Sequence, residues 1–180
     1  DLHLSIRRQR QMCIRDRYGR FAILYGVVIV ATAVVTGLIG DSLVVLERSQ
    51  RAIRAGLQAM LLITSAVLAA GAFLTAWLTG FSDALEAAIF AVALAAFAVE
   101  EIVRRLLIAH MSFVRTAATD ISGFIVALAI ILAVNATGTL SLGVFLAGIA
   151  AGQIVATVIG WLLVPLSLIH ISEPTRQAEI

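Results

Sequence analysis

FAILYGVVIVATAVVTGLIG (residues 21–40) runs for twenty positions without a charged side chain. A helix lying at a water interface shows polar residues at every third or fourth position, on the face turned away from its neighbours. Here no such face exists, and the only hydroxyls are those of Tyr25, Thr32 and Thr36. About 20 apolar residues, rising 1.5 Å each, cross the ~30 Å hydrocarbon core of a bilayer. The stretch therefore reads as a membrane-spanning helix.

The remainder of the chain repeats the pattern. Of its 180 residues 61% are hydrophobic and 13% charged, with a mean hydropathy of +1.04. Soluble domains carry charge on about a quarter of their residues, so the composition excludes an ordinary soluble fold. Spans are expected at about 20–40, 57–79, 84–104, 117–135 and 141–164. Between them lie GDSLVVLERSQRAIRAG (residues 40–56), GFSD (80–83), RRLLIAHMSFVR (104–115) and NATGTLS (135–141). Gly, Asn, Ser and Thr in these connectors are turn formers. The expected fold is an all-α polytopic transmembrane bundle of about five helices, with no second, soluble domain. Every basic residue is arginine, a coding bias that with the abundant alanine points to a GC-rich bacterial genome.

The two ends read differently from the middle. RRQRQMCIRDR (residues 7–17) and LSLIHISEPTR (166–176) resemble translated sequencing-library adapter. Met12 to Arg17 can be encoded by ATG TGT ATA AGA GAC AGN, whose reverse complement, read from CTG, gives Leu-Ser-Leu-Ile-His and then Ile or Met. That matches residues 166–171. Inverted copies of one tag at both ends are expected of a library insert. Fold reasoning therefore takes residues 18–165 as the membrane part and sets 1–17 and 166–180 aside as adapter-derived tails.

Setting the ends aside alters the charge argument. The whole chain carries +2, with a pI near 9.3. Removing Arg7, Arg8, Arg10, Arg15, Arg17 and Arg176, with Asp1, Asp16, Glu173 and Glu179, leaves seven basic and seven acidic residues. A neutral remainder gives no basic patch for nucleic acid. Cys13, the sole cysteine, lies in the excluded end, so no thiol, disulfide or cysteine metal chemistry is expected. His110 stands in a basic connector without a second histidine or a neighbouring acid in sequence, which argues against a metal site. No Ser/His/Asp set, phosphate loop or cofactor motif occurs. The sequence gives no support to an enzyme or a cofactor.

Arginine sets the orientation. Arg48, Arg51 and Arg54 fall in one connector and Arg104, Arg105 and Arg115 in another, whereas residues 80–83 and 135–141 have no basic residue. The positive-inside rule places the first two connectors in the cytoplasm and the others outside. Arg20 then falls on the outer side, against the rule. A first helix that starts outside implies an earlier span, so the chain is expected to be part of a larger protein whose remaining helices complete the bundle. Trp77 and Trp161, near helix ends, suit the interfacial aromatic belt.

Polar residues within the spans are the candidate functional groups. Glu100 with Arg104, and Glu101 with Arg105, form i,i+4 pairs in the favoured order. They read as an interface anchor or as the mouth of an anionic substrate path. Asp120 is expected about one turn into its helix, complementing the helix dipole with Arg115 near enough to neutralise it; coupling to a proton or sodium is the sharper alternative. Asp83 and Glu86 open their helix as dipole partners, and Gln58 and Gln153 are expected to hydrogen-bond between helices. Gly148, Gly152, Ala156 and Gly160 recur at fourfold spacing, a stripe that lets helix backbones approach closely in lipid.

The run YGRFAILYGVVIVATAVVTGLIGDSLVVL (residues 18–46) with its basic connector resembles the second helix and following loop of bacterial polysaccharide flippases. These belong to the multidrug/oligosaccharidyl-lipid/polysaccharide exporter superfamily. EEIVRRLLIAHMSFVRTAATD (residues 100–120) is similar to their fourth-to-fifth helix junction. The resemblance covers nearly all of residues 18–165 and corresponds to helices two to six of about twelve to fourteen. It implies a multi-pass protein of the bacterial inner membrane that moves a lipid-linked oligosaccharide to the outer leaflet by alternating access. Arg48, Arg51, Arg54, Arg104 and Arg105 would then hold the lipid diphosphate. Two other classes stay open: a cation-coupled drug antiporter, which would depend on Asp120 or Glu86, and a membrane polysaccharide polymerase or ligase, whose catalytic outer loop this stretch lacks.

Overall fold

The structure is a computed structural model. It describes the backbone of residues 2–42, 51–138 and 141–164 and the side chains of 19–42, 53, 55–138 and 141–164. Among the described residues there are five helices and no strand. They are α1 (Leu2–Val35), continued by a π-helical turn (Thr36–Gly40), α2 (Arg51–Leu78), α3 (Ala84–Ala109), α4 (Phe113–Ala136) and α5 (Leu142–Leu163). Four stretches are long and apolar enough to cross a membrane: Gly19–Gly40, Ala55–Leu78, Phe113–Ala136 and Leu142–Leu163. The protein is an all-α, multi-pass transmembrane bundle.

Helix α3 is the centre of that bundle and its most charged member. It packs against α2 on one side and α5 on the other, and also touches α1 and α4. The other helices shield it from lipid, which is where an intramembrane charge belongs. Its buried residues include Phe90, Leu94, Ala98, Ile102, Val103 and Leu107. Phe90 and Leu94 join Leu24, Val28 and Ala31 of α1 and Leu146 of α5 in one apolar cluster. Ala98 and Ile102 join Val35, Ile39 and Leu57 in a second.

The π turn keeps α1 on this partner. The buried positions Leu24, Val28, Ala31, Val35 and Ile39 are spaced by four, three, four and four residues. At 3.6 residues per turn each step of four rotates the stripe by about 40°, so successive steps of four carry it off α3. In the π turn the Asp41 N–H reaches the Thr36 carbonyl, five residues back. The wider turn offsets the drift and returns Ile39, only 1% exposed, to the core.

The connectors are shorter than the charge pattern implies. Arg51 and Arg54 belong to α2, Arg104 and Arg105 to α3, and Arg115 to α4. Long arginine stems let a helix continue beyond the hydrocarbon while the head group stays polar. Gly80, at φ +67, permits the tight α2–α3 turn, and Asp83 caps α3 by accepting the Glu86 N–H at 2.7 Å. The α3–α4 connector is only His110 to Ser112, with Met111 at φ 56. Ser141 caps α5, accepting from Val144 N–H at 3.2 Å.

Small residues join α4 to α5. A Cβ added at Gly152 would stand 2.5 Å from the Gly123 carbonyl oxygen, and one at Gly123 2.9 Å from the Gly152 oxygen. Gly148 lies against Ile131 and Ala127 of the same partner, and Gly160 against Val103 of α3 and Thr119 of α4. Ala156 is 2% exposed within the same seam. The C-terminal adapter-like tail (166–180) and Arg48 lie outside the described residues, as do the side chains of residues 1–18, whose backbone from residue 2 onward is helical.

Candidate functional site

Phe97, Glu100, Glu101 and Arg104 recur at three- and four-residue steps, so one face of α3 carries them all. That face lines a cavity of about 410 Å³. One wall is α1, through Tyr25, Ile29 and Thr32; the other is α4, through Asp120, Gly123 and Phe124. The floor is α3 together with Gln153 and Ala156 of α5.

Arg104 sits among three carboxylates. Its Nη2 donates to Asp120 Oδ1 at 2.9 Å, its Nη1 lies 3.7 Å from Glu101 Oε2, and its Nε lies 3.7 Å from Glu100 Oε1. Arg105 Nε donates to Glu101 Oε1 at 3.0 Å, and the Thr36 hydroxyl donates to the same oxygen at 3.2 Å. The Glu100 and Glu101 side chains are 6% and 15% exposed, while Arg104 and Asp120 are 38% and 39% exposed. The cluster thus grades from a dry interior to an open mouth. Three carboxylates against two guanidiniums leave it a formal charge of −1. Glu100 Oε1, Arg104 Nε and Gln153 Oε1 are buried without a hydrogen-bond partner, so polar capacity remains at the cavity floor.

Of the residues singled out in the sequence, Glu100, Glu101, Arg104, Arg105 and Asp120 come together here. Asp120 stands two turns into α4 rather than one, because the helix begins at Phe113. Its partner is Arg104 and not Arg115. Arg115 Nη1 instead donates to the Leu163 carbonyl at 3.0 Å, holding the last turn of α5. Glu86 is at the opposite end of α3, packed against Gly143 of α5 and tied to Asp83. Gln58 is exposed on α2 and does not link helices through the core. The side chains of Arg51 and Arg54 lie outside the described residues. Among the described residues no group of His, Cys, Asp and Glu could hold a metal ion.

Thr36 and Tyr25 are the site residues that the reading of charges passes over. Their signal is present in the opening stretch: Tyr25, Thr32 and Thr36, the only hydroxyls of that run, are spaced by seven and four and share one helical face. Comparisons with protein-family models, curated proteins and solved structures find no match to this chain.

Proposed function

We propose that the chain is the substrate-path portion of a secondary transporter of the bacterial inner membrane, passing a lipid-linked oligosaccharide between leaflets by alternating access. The observation that carries this reading is the cavity itself. Charged residues inside a membrane bundle are costly and mark substrate or ion pathways, and four of them, Glu100, Glu101, Arg104 and Asp120, line this one. The cargo rests on the resemblance of residues 18–46 and 100–120 to polysaccharide flippases. Because Arg104 and Arg105 are held by carboxylates, the lipid diphosphate is assigned to Arg48, Arg51 and Arg54, by their charge and their place in the connector expected on the cytoplasmic side.

The formal −1 of the cluster favours a second reading, a cation-coupled antiporter in which Asp120 rather than Glu86 faces the path. A strain lacking the gene separates the two. Lipid-linked oligosaccharide accumulating in the inner leaflet supports the flippase; an unchanged leaflet distribution with impaired efflux of cationic drugs supports the antiporter. The absence of both phenotypes would overturn the transporter reading in both forms.

A further inference from the structure

The two walls of the cavity are tied to each other through side chains of its floor. Helices α1 and α4 share no packed interface of their own. Toward the start of its membrane span α1 is anchored by Phe21, whose ring meets Phe145 of α5 edge-on with centroids 5.0 Å apart. Toward the other end, where α3 passes into α4, a continuous chain of polar links crosses the floor. Thr36 of α1 donates to Glu101 at 3.2 Å; Glu101 faces Arg104 at 3.7 Å; Arg104 donates to Asp120 of α4 at 2.9 Å.

We propose that Thr36, Glu101, Arg104 and Asp120 form a clasp that sets the separation of the α1 and α4 walls, and that the cavity opens at this end by releasing it. The two walls are held in different ways, which decides where movement falls. Helix α4 is bound to α5 through backbone contact at Gly123 and Gly152. A packed seam of that kind does not deform gradually. Helix α1 meets α3 beside the clasp through the side chains of Val35 and Ile39, in the cluster with Ala98 and Ile102. It turns there through the π-helical Thr36–Gly40, a geometry that often marks functional sites. Gly40 lets that turn approach Arg105, whose Cγ would stand 3.4 Å from an added Cβ.

Each wall is joined to the clasp by a single side-chain hydrogen bond, and the outer one links side chains that are more than a third exposed. Water or a ligand group entering the mouth can replace the Arg104–Asp120 bond without disturbing the apolar clusters. The other charged groups facing Arg104 and Glu101 are Glu100 and Arg105, both on α3; Glu100 also faces Asp120 of the α4 wall, and the Arg105 stem lies against Gly40 of the α1 turn. The clasp stands on geometry alone, whereas its service as a gate rests on the transporter reading.

Distance measurement between spin labels tests it on the full chain in lipid nanodiscs, with Cys13→Ser removing the native thiol. Labels at Ile29→Cys and Phe124→Cys report the wall separation; labels at Phe124→Cys and Ile154→Cys report the α4–α5 seam. Thr36→Val and Asp120→Asn are each expected to lengthen the wall distance by at least the ~1–2 Å of a helix shift. Thr36→Ser, which keeps the hydroxyl, is expected to retain the parental distance, and the seam pair should not move. A wall distance unchanged in both Thr36→Val and Asp120→Asn would overturn the clasp. So would a seam distance that shifts with it, since the links would then hold the whole fold rather than one opening. Because no cargo is present, the result is independent of any transport assay.

Discussion

Gly152 and Gly123 are spaced so closely that one methyl group decides whether their helices can meet. Gly152→Ala places a Cβ 2.5 Å from the Gly123 oxygen and 2.9 Å from Ala127 Cβ. Such overpacking is expected to cost about 1–3 kcal/mol, measured as reversible unfolding in mixed detergent micelles. Gly71→Ala on α2 meets nothing within 4 Å, and by the same measurement should stay within about 0.5 kcal/mol of the parent. Met111 offers the opposite case. Its φ of 56 holds an L side chain in the left-handed region, which costs about 1–2 kcal/mol. Met111→Gly removes that strain but frees the unfolded chain, so a net gain of no more than about 1 kcal/mol is expected. The stripe of Gly148, Gly152, Ala156 and Gly160 is legible from spacing, but its partner is less so. Thr119, Gly123 and Ala127 repeat at the same fourfold step on α4, a signal that the neighbouring charge of Asp120 draws attention away from.

At the scale of the element, α3 shows how charge misleads about helix ends. Glu100 to Arg105 looks like a terminus because isolated charges avoid lipid, yet the helix runs on to Ala109. The charges are tolerated because they answer one another and because the more buried of them, Glu100 and Glu101, face a polar cavity rather than lipid. Pairing within α3 is readable from i,i+4 spacing. Pairing to Asp120 and Thr36, 16 and 65 residues away in sequence, depends on how helices cross and is not written in any local pattern. The arrangement predicts an order of damage. Arg104→Leu leaves three carboxylates with one guanidinium and should be the most destabilising single change in the cluster. Glu101→Gln, which keeps an acceptor for Thr36 and Arg105, should be milder. Adding Asp120→Asn to Arg104→Leu should recover part of the loss. Unfolding of the three variants beside the parent measures this; an equal effect of Arg104→Leu and Glu101→Gln would contradict the shared-arginine geometry.

For the whole molecule, helix number and all-α class follow from length and apolarity alone, since only helices and closed barrels satisfy their backbone in lipid. Which helix lies in the middle does not follow from apolarity, since the charges of α3 keep it out of the four stretches that are apolar enough to cross a membrane. The same fact bears on how the chain is made. Four spans are long and apolar enough to cross a membrane, but α3 carries Glu86, Glu100, Glu101, Arg104 and Arg105. Each charge costs about 2.5–3.5 kcal/mol at a helix centre and less toward its ends. The turn at Gly80 joins α3 to α2 within a few residues, and the two helices pack side by side. Insertion of α3 is therefore expected to be a joint event with α2. In a translocon assay, α3 alone should integrate poorly, and the α2–α3 pair efficiently. Equal integration of both would show that α3 needs no companion. The central helix of the finished bundle is thus the one least able to enter the membrane first, and the order of synthesis, which delivers α2 just ahead of it, becomes part of how the fold is reached.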